Sequence, residues 1–111
     1  MKKGKLELKS DEYRSARGGY SRVLSISCRA CERVVLKYQK DGPGNLRRLY
    51  LDRIISPDNL AALQYRELKD TPPLKCSKCG ELLGTPYIYI KEKRKAFRLY
   101  QDSVIKRVTK M

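Results

Sequence analysis

Four cysteines are the residues of this 111-residue chain that are best suited to site chemistry. They form two Cys-x-x-Cys pairs, Cys28 with Cys31 and Cys76 with Cys79, and 44 residues separate the pairs. A Cys-x-x-Cys turn lets two sulfurs face one ion, and two such turns complete the tetrahedral four-thiolate shell that zinc prefers. We therefore predict one structural Zn²⁺ held by all four cysteines, with Gly80 providing a sharp backbone bend after the second pair.

Two other uses of the cysteines stay open at this stage. Disulfides form in oxidising compartments, but the first residues of the chain contain no apolar stretch of signal-peptide length, which favours a cytoplasmic protein. Redox or iron–sulfur chemistry would also use Cys-x-x-Cys pairs, although the strand–helix–strand unit of thioredoxin-type proteins is not visible. Arg29, Arg33, Lys75 and Lys78 flank the cysteines and would offset the negative charge of a metal tetrathiolate.

The composition excludes several function classes and favours an acidic partner. The chain has no histidine, which removes serine–histidine and cysteine–histidine nucleophiles and metal sites of mixed cysteine and histidine type. Lys and Arg number 26 against 12 Asp and Glu, a formal net charge of +14. No window reaches the roughly 18 apolar residues that a membrane helix needs, so we expect no membrane partner. Such an excess of positive charge is typical of nucleic-acid-binding proteins.

The spacing of apolar residues predicts a mainly β domain over residues 20–111, preceded by a basic N-terminal arm over residues 1–19. Residues 40–45, rich in Gly and Pro, predict a hairpin loop. Ser56 as N-cap and Pro57 predict one short helix, which ends near Leu63. Residues 91–100 also contain helix-forming residues, but Phe97 and Leu99 alternate with charge and favour a strand. The predicted strands cover residues 20–28, 33–38, 46–55, 65–68, 87–90, 96–100 and 103–108.

Two segments resemble Yippee proteins, a family of four-cysteine zinc proteins. Residues 42–55, with Leu49-Tyr50-Leu51, are similar to that family's glycine turn and following strand, and residues 76–87 are similar to its second cysteine segment. The resemblance implies a β-tent-like fold, a small domain of two antiparallel sheets stapled by the four-cysteine zinc site, with at most one short helix. Thr85 stands where Yippee proteins have Trp. The β-tent group also includes the cereblon drug-binding module and methionine sulfoxide reductases, but this chain lacks their tryptophan cage and their additional catalytic cysteine or selenocysteine.

Basic residues interleaved with aromatic ones predict a surface for phosphates and unstacked bases. RNA is favoured over DNA, because no helix suited to the major groove is evident. We expect a non-enzymatic protein that binds RNA or the ribosome; the alternative is a Yippee-like adaptor for an acidic protein. An enzyme has the least support, because the thiols are committed to metal. The predicted nucleic-acid-binding residues are Arg47, Arg48, Tyr50, Arg53, Lys91, Lys93, Arg94, Lys95, Phe97, Arg98, Tyr100, Lys106 and Arg107.

Overall fold

Two four-stranded antiparallel sheets form the framework of the structure, a computed structural model that describes residues 8–100 and 102–109. Sheet A has the strand order β4-β2-β1-β8, and sheet B has the order β3-β7-β6-β5. The prediction of a mainly β fold with two antiparallel sheets is confirmed. The strands are β1 (Ser21–Cys28), β2 (Val34–Asp41), β3 (Arg48–Tyr50), β4 (Ile54–Ser56), β5 (Leu74–Lys75), β6 (Leu82–Tyr89), β7 (Arg94–Leu99) and β8 (Val104–Thr109).

The helices are short and lie outside the sheets. Helix α1 spans Glu12–Ala16, and α2 spans Asp58–Ala61. Helix α2 lies where the sequence predicts a helix, although its N-cap is Pro57 and not Ser56. Helix α1 was not predicted, and it begins where the Asp11 carboxylate accepts hydrogen bonds from two backbone N–H groups. Single turns of 3₁₀ helix cover Leu51–Arg53, Ala62–Tyr65 and Leu68–Asp70.

The hydrophobic core lies between the two sheets. Alternate residues of β1 and β2 point inward from sheet A, where Leu24 pairs with Tyr38 and Ile26 with Leu36. Sheet B contributes residues such as Leu49 and Phe97, a register pair of β3 and β7. The Tyr38 hydroxyl oxygen accepts a hydrogen bond from the Tyr50 N–H at 2.9 Å, which satisfies a buried polar group and connects the sheets.

The single long strand predicted over residues 46–55 is wrong. The 3₁₀ turn at Leu51–Arg53 divides the segment, so that β3 lies in sheet B and β4 lies in sheet A. Leu51 and Arg53 are both buried in this turn, Leu51 in the core and Arg53 among carboxylates. Leu49, Leu51 and Ile55 alternate on both sides of Arg53, which is why the sequence pattern does not reveal the break.

The predicted hairpin loop at residues 40–45 does bend the chain, but the hairpin is wrong. The bend leads from β2 in sheet A to β3 in sheet B, and these strands do not pair with each other. Gly42 has a φ of +70°, and a Cβ atom there would lie 2.3 Å from the carbonyl oxygen of Arg17. Glycine is therefore required at this position both by the backbone conformation and by the approach of the N-terminal residues.

The strand predicted over residues 65–68 is also wrong. Tyr65 ends one 3₁₀ turn and Leu68 begins the next, and the exposed Tyr65 does not face the core. The other predicted strands are present. The strand predicted over residues 87–90 belongs to β6, which begins earlier at Leu82, and the 91–100 segment forms β7 and not a helix.

Residues 8–17, here called the N-terminal segment, pack across both sheets. The main-chain N–H and carbonyl of Lys9 each form a 2.8 Å hydrogen bond with the side-chain amide of Gln39 on sheet A. Further along, Tyr13 lies against Arg94 of sheet B. Residues 1–7 of the predicted basic arm lie outside the described residues.

Candidate metal centre and basic surfaces

The two Cys-x-x-Cys pairs lie in two similar turns, one from each sheet. Cys28 ends β1 and Cys31 lies in the turn to β2, whereas Cys76 and Cys79 lie in the turn between β5 and β6. In both turns the residue after the second cysteine has a left-handed backbone, with φ of 66° at Glu32 and 79° at Gly80. The predicted bend at Gly80 is thus present, and the first turn achieves the same bend without glycine.

The four sulfur atoms lie close enough together to hold one metal ion. They lie within 4.8 Å of one another, with 3.7 Å between the Sγ atoms of Cys28 and Cys79 and 3.5 Å between those of Cys31 and Cys76. Sulfur atoms bound at about 2.3 Å in a tetrahedron lie roughly 3.75 Å apart, so the cluster fits a metal ion of this kind. An ion there would join a turn of sheet A to a turn of sheet B.

Backbone groups around the cluster favour the thiolate form that metal binding needs. Backbone N–H groups, above all that of Cys79, hydrogen-bond to the sulfur of Cys76 and lower the pKa of its thiol to about 6. The N–H of Glu81 acts in the same direction on Cys79, but burial and the hydrogen bonds with the other three sulfurs outweigh it and raise the pKa of that thiol to about 12. The four flanking cations that the sequence indicates are all exposed. One of them, Arg29, donates a hydrogen bond to the carbonyl oxygen of Val104 at 3.4 Å and so connects the first turn to β8.

Four of the predicted nucleic-acid-binding residues are buried, and their prediction as surface contacts is corrected. Tyr50 is 7% exposed, Arg53 2%, Arg94 5% and Phe97 1%. Phe97 points into the core, whereas Tyr50 and Arg94 lie on the other face of sheet B under the N-terminal segment. These side chains are therefore structural.

Arg53 is held by carboxylates from distant parts of the chain. Its guanidinium donates to Asp41 at 2.8 Å and to Asp11 at 2.6 Å. The Asp11 carboxyl has its pKa lowered to about 2, chiefly by the hydrogen bond from Arg53. Burial alone would lower the pKa of Arg53, but the hydrogen bonds to these two carboxylates outweigh it and raise the pKa. This cluster fastens the N-terminal segment to sheet A.

Arg94 fastens the same segment to sheet B. Its guanidinium lies 3.7 Å from the ring centroid of Tyr50 and 4.0 Å from that of Tyr13, so it is stacked between two aromatic rings. It also donates to Glu92 at 3.0 Å and to Asp52 at 2.8 Å. With its charge paired and both faces covered, Arg94 is not available to a ligand.

Arg47, Tyr100 and Lys106, three other predicted residues, come together in a cleft of about 690 Å³ between the sheets. A smaller cleft of about 190 Å³ adjoins it at Asn45, Leu46 and Lys106. We call the combined cleft the basic groove. Five cations line it, and Asp102 is the one carboxylate in its lining among the described residues. The cations are Arg22, Arg29, Lys40, Arg47 and Lys106.

Sequence reasoning did not assign Arg22, Arg29 and Lys40 to this surface, because each comes from a different element. The pKa of the Lys40 ammonium group reflects the positive electrostatic environment of the groove. Burial, followed by the positive charges of Arg22 and Arg17, lowers the pKa of this ammonium group. Cations crowded in this way lower one another's affinity for protons and raise the affinity of the groove for an anion.

The remaining basic residues do not form the continuous stripe that the 91–110 run predicts. Strand β7 belongs to sheet B and β8 to sheet A, so the run is divided between the sheets. Lys91 and Lys93 are exposed in the turn before β7. The Lys95 ammonium donates to the carbonyls of Gln64 and Arg66, the former at 2.7 Å. Arg107 is exposed on β8, and as the neighbour of Lys106 it points to the opposite face of the strand.

A second cationic surface lies on the face of sheet B that points away from the core. Arg48 of β3, Arg98 of β7 and Thr85 of β6 are register partners, and Tyr87 and Tyr89 follow on the same face of β6. We call these five residues the arginine–tyrosine face. Tyr87 and Tyr89 are not among the predicted binding residues, although their alternation with Ile88 and Ile90 indicates that both rings lie on one face of the strand.

No helix within the described ranges is long and apolar enough to cross a membrane. Comparison of the chain with models of known protein families, with curated proteins and with solved structures finds no significant match in any of the three. The resemblance to Yippee proteins thus depends on the sequence motifs alone, while the structure establishes a β-rich fold in which four cysteines are placed to bind a metal ion.

Proposed function

We propose that this is a non-enzymatic cytoplasmic zinc protein that binds RNA, either as free RNA or on the ribosome. The observation that carries the proposal is the basic groove, in which five cations face a single carboxylate among the described residues. Lys and Arg side chains attract phosphates and release the counterions bound to them, so a groove of this kind favours a polyanion. Its apolar floor, with Leu46 and Val104, suits a sugar or an unstacked base.

The proposed zinc ion has a structural role in this function. Four thiolates complete its tetrahedral shell and leave no ligand position for a substrate or an activated water. The ion would hold the turn with Arg29 against the turn between β5 and β6, and so maintain one end of the groove. Metal analysis of protein purified without added zinc should find one zinc per chain. Iron, or four titratable thiols with no metal, would contradict the proposal.

RNA is favoured over DNA because the described helices are too short to act as a recognition helix in the DNA major groove. The longest described α-helix, α1, has five residues and packs onto Arg94. A recognition helix in the DNA major groove needs a longer, exposed helix. Grooves and sheet faces with exposed Arg and Tyr instead suit irregular or single-stranded RNA.

Binding of a fluorescently labelled RNA across a salt series tests the proposal. Each phosphate contact with a single strand contributes about −0.7 to the slope of log K against log salt. The double variant Arg47→Ala with Lys106→Ala removes two groove cations and should reduce the magnitude of the slope by about 1.4. Arg107→Ala is the matched control, because it removes a cation from the opposite face of the strand that carries Lys106.

The proposal predicts that the loss of RNA affinity depends on where the removed cation lies and not only on how many cations are removed. If the groove variant loses more affinity per removed cation than Arg107→Ala does, the groove is supported as the RNA site. Equal losses per cation would mean that the charge of the whole chain attracts RNA without a site. The groove assignment would then be wrong.

A Yippee-like adaptor that binds an acidic protein is the second candidate, and the free edge of β8 favours it. Among the described strands β8 pairs only with β1, and it carries the exposed Lys106 and Arg107. An acidic extended peptide could add to this edge through main-chain hydrogen bonds. The interaction with such a partner should then persist after nuclease treatment. Loss of the bound partner after nuclease treatment would contradict the adaptor role.

A further inference from the structure

We propose that the arginine–tyrosine face, formed by Arg48, Thr85, Tyr87, Tyr89 and Arg98, is a second contact site that selects single-stranded RNA by stacking an unpaired base on Arg98. The inference rests on the proposed RNA-binding function and names the class of RNA. The arginine–tyrosine face is separate from the basic groove, and the contacts among its own residues indicate what it can bind.

The two arginines lie directly opposite each other in neighbouring strands. Arg48 of β3 is the register partner of Arg98 of β7, so their side chains leave the sheet side by side. Like charges in this position repel each other. Within the described part of the chain, no carboxylate lies within 4.0 Å of either guanidinium. A phosphate bound between the two groups would remove this repulsion.

Tyrosine rings hold both guanidinium groups in place. Arg48 lies 4.0 Å from the ring centroid of Tyr89, and its Nε–H donates to the Tyr87 hydroxyl oxygen at 2.7 Å. Arg98 lies 4.7 Å from the ring centroid of Tyr87. A free arginine loses much side-chain entropy when it binds a ligand, whereas these contacts already restrict the two side chains.

Arg98 has an accessible outer surface. It is exposed, and Tyr87 covers only one side of its guanidinium. Arg94 gives the contrast within the same strand, because Tyr13 covers its second side and leaves it buried. A nucleobase on Arg98 would take the position that Tyr13 takes on Arg94. The packing of the N-terminal segment is thus an example, within this molecule, of the contact we propose for RNA.

This contact requires an unpaired base. In an A-form duplex the base faces are stacked inside, and a protein reaches mainly phosphates and 2′-hydroxyl groups. Bases of a single strand can leave the stack and lie on an arginine plane or an aromatic ring. The arginine–tyrosine face should therefore add affinity for single strands beyond the charge attraction that it offers to any RNA.

The variant Arg98→Lys separates the two contributions. It keeps the positive charge and removes the planar group, and Arg107→Lys is the matched control on an exposed site of sheet A. The probe is a short single-stranded RNA with one 2-aminopurine, compared with the same strand in a duplex. Stacking of one base accounts for roughly a 5-fold to 150-fold change in affinity, so Arg98→Lys should weaken single-strand binding at least about fivefold. Duplex affinity should stay near that of the wild type.

A second readout reports the stacking itself. The change in 2-aminopurine fluorescence on binding, as the base leaves its neighbours, should be large with the wild type and with Arg107→Lys, and small with Arg98→Lys and with Tyr87→Leu. If Arg98→Lys binds the single strand and changes its fluorescence as the wild type does, this inference is overturned while the proposed RNA binding stands. If the wild type binds neither RNA, the proposed function fails and this inference fails with it. An unchanged far-UV circular dichroism spectrum and metal content confirm that the variants fold.

Discussion

Removal of the metal should destabilise the whole domain, and the chain itself sets the magnitude. The cluster cross-links Cys31 to Cys76 across 44 intervening residues. Closing a loop of this length in the unfolded chain costs about 4 kcal/mol at 25 °C in the chain-entropy description of cross-links. Since a domain of this size is stable by only about 5–15 kcal/mol, the metal-free protein should retain about 1–11 kcal/mol and unfold at a clearly lower temperature.

Thermal unfolding followed by far-UV circular dichroism measures this effect. For 111 residues the entropy of unfolding is roughly 230 cal/mol/K, so a loss of 4 kcal/mol lowers Tm by about 17 °C. The comparison is between holoprotein and protein stripped by a strong chelator under reducing conditions. Cys79→Ser should behave like the stripped protein. Ser77→Ala, an exposed change in the same turn, should not. If the stripped protein and the holoprotein unfold at the same temperature, the metal adds no stability by linking the two sheets, and the loop-closure estimate is wrong.

Three further predictions concern the N-terminal segment and the first cysteine turn. Arg53→Ala leaves the buried carboxylate of Asp41 unpaired and should cost about 3–5 kcal/mol of unfolding free energy, measured by urea denaturation. Glu32→Gly relieves a left-handed backbone at φ 66° and should stabilise the holoprotein by up to about 1 kcal/mol in the same assay. Asp11 has a folded pKa of about 2, below its ordinary value of 3.8, so its contribution is complete above pH 3.8 and disappears as the pH falls toward 2. The difference in urea midpoint between wild type and Asp11→Asn should therefore shrink over that range.

The first two of these predictions have a matched control variant, and the third is tested by its pH dependence. Arg66→Ala removes an exposed arginine and should change stability by less than about 0.5 kcal/mol. Glu12→Gly places glycine inside α1 and should destabilise by up to about 1 kcal/mol, the opposite sign to Glu32→Gly. Equal effects of the two glycine variants would argue against backbone strain at Glu32. A midpoint difference for Asp11→Asn that does not depend on pH would argue against its charge-assisted bond to Arg53.

The metal site and most strands could be predicted from the sequence because both are encoded locally. Two Cys-x-x-Cys pairs bring sulfurs together whatever fold connects them, and alternation marks a strand whatever sheet it joins. The turn at Leu51–Arg53 is different. Arg53 is buried there only because Asp41, 12 residues earlier, and Asp11, 42 residues earlier, supply carboxylates. No local pattern contains that information, so the segment was predicted as one strand.

The absence of long-range information from local patterns also explains why the predicted binding residues differ from those that share a surface in the structure. A run of basic residues along one strand points alternately to two faces, and the 91–110 run also crosses from sheet B to sheet A. Arg47 and Arg48 illustrate this, since Arg47 lines the groove while Arg48 lies on the arginine–tyrosine face. A surface made of residues from several elements becomes visible only when strand order and register are known.

Folding also concentrates the excess positive charge. The buried Arg53 and Arg94 take up the carboxylates of Asp11, Asp41, Asp52 and Glu92, and Arg17 shares the last of these. The N-terminal segment and its surroundings therefore use a third of the 12 acidic residues of the chain inside the structure. The basic groove and the arginine–tyrosine face are left with few neighbouring carboxylates. The excess of positive charge therefore lies mainly at the surface, and the basic groove and the arginine–tyrosine face are two of the places where a polyanion would meet it.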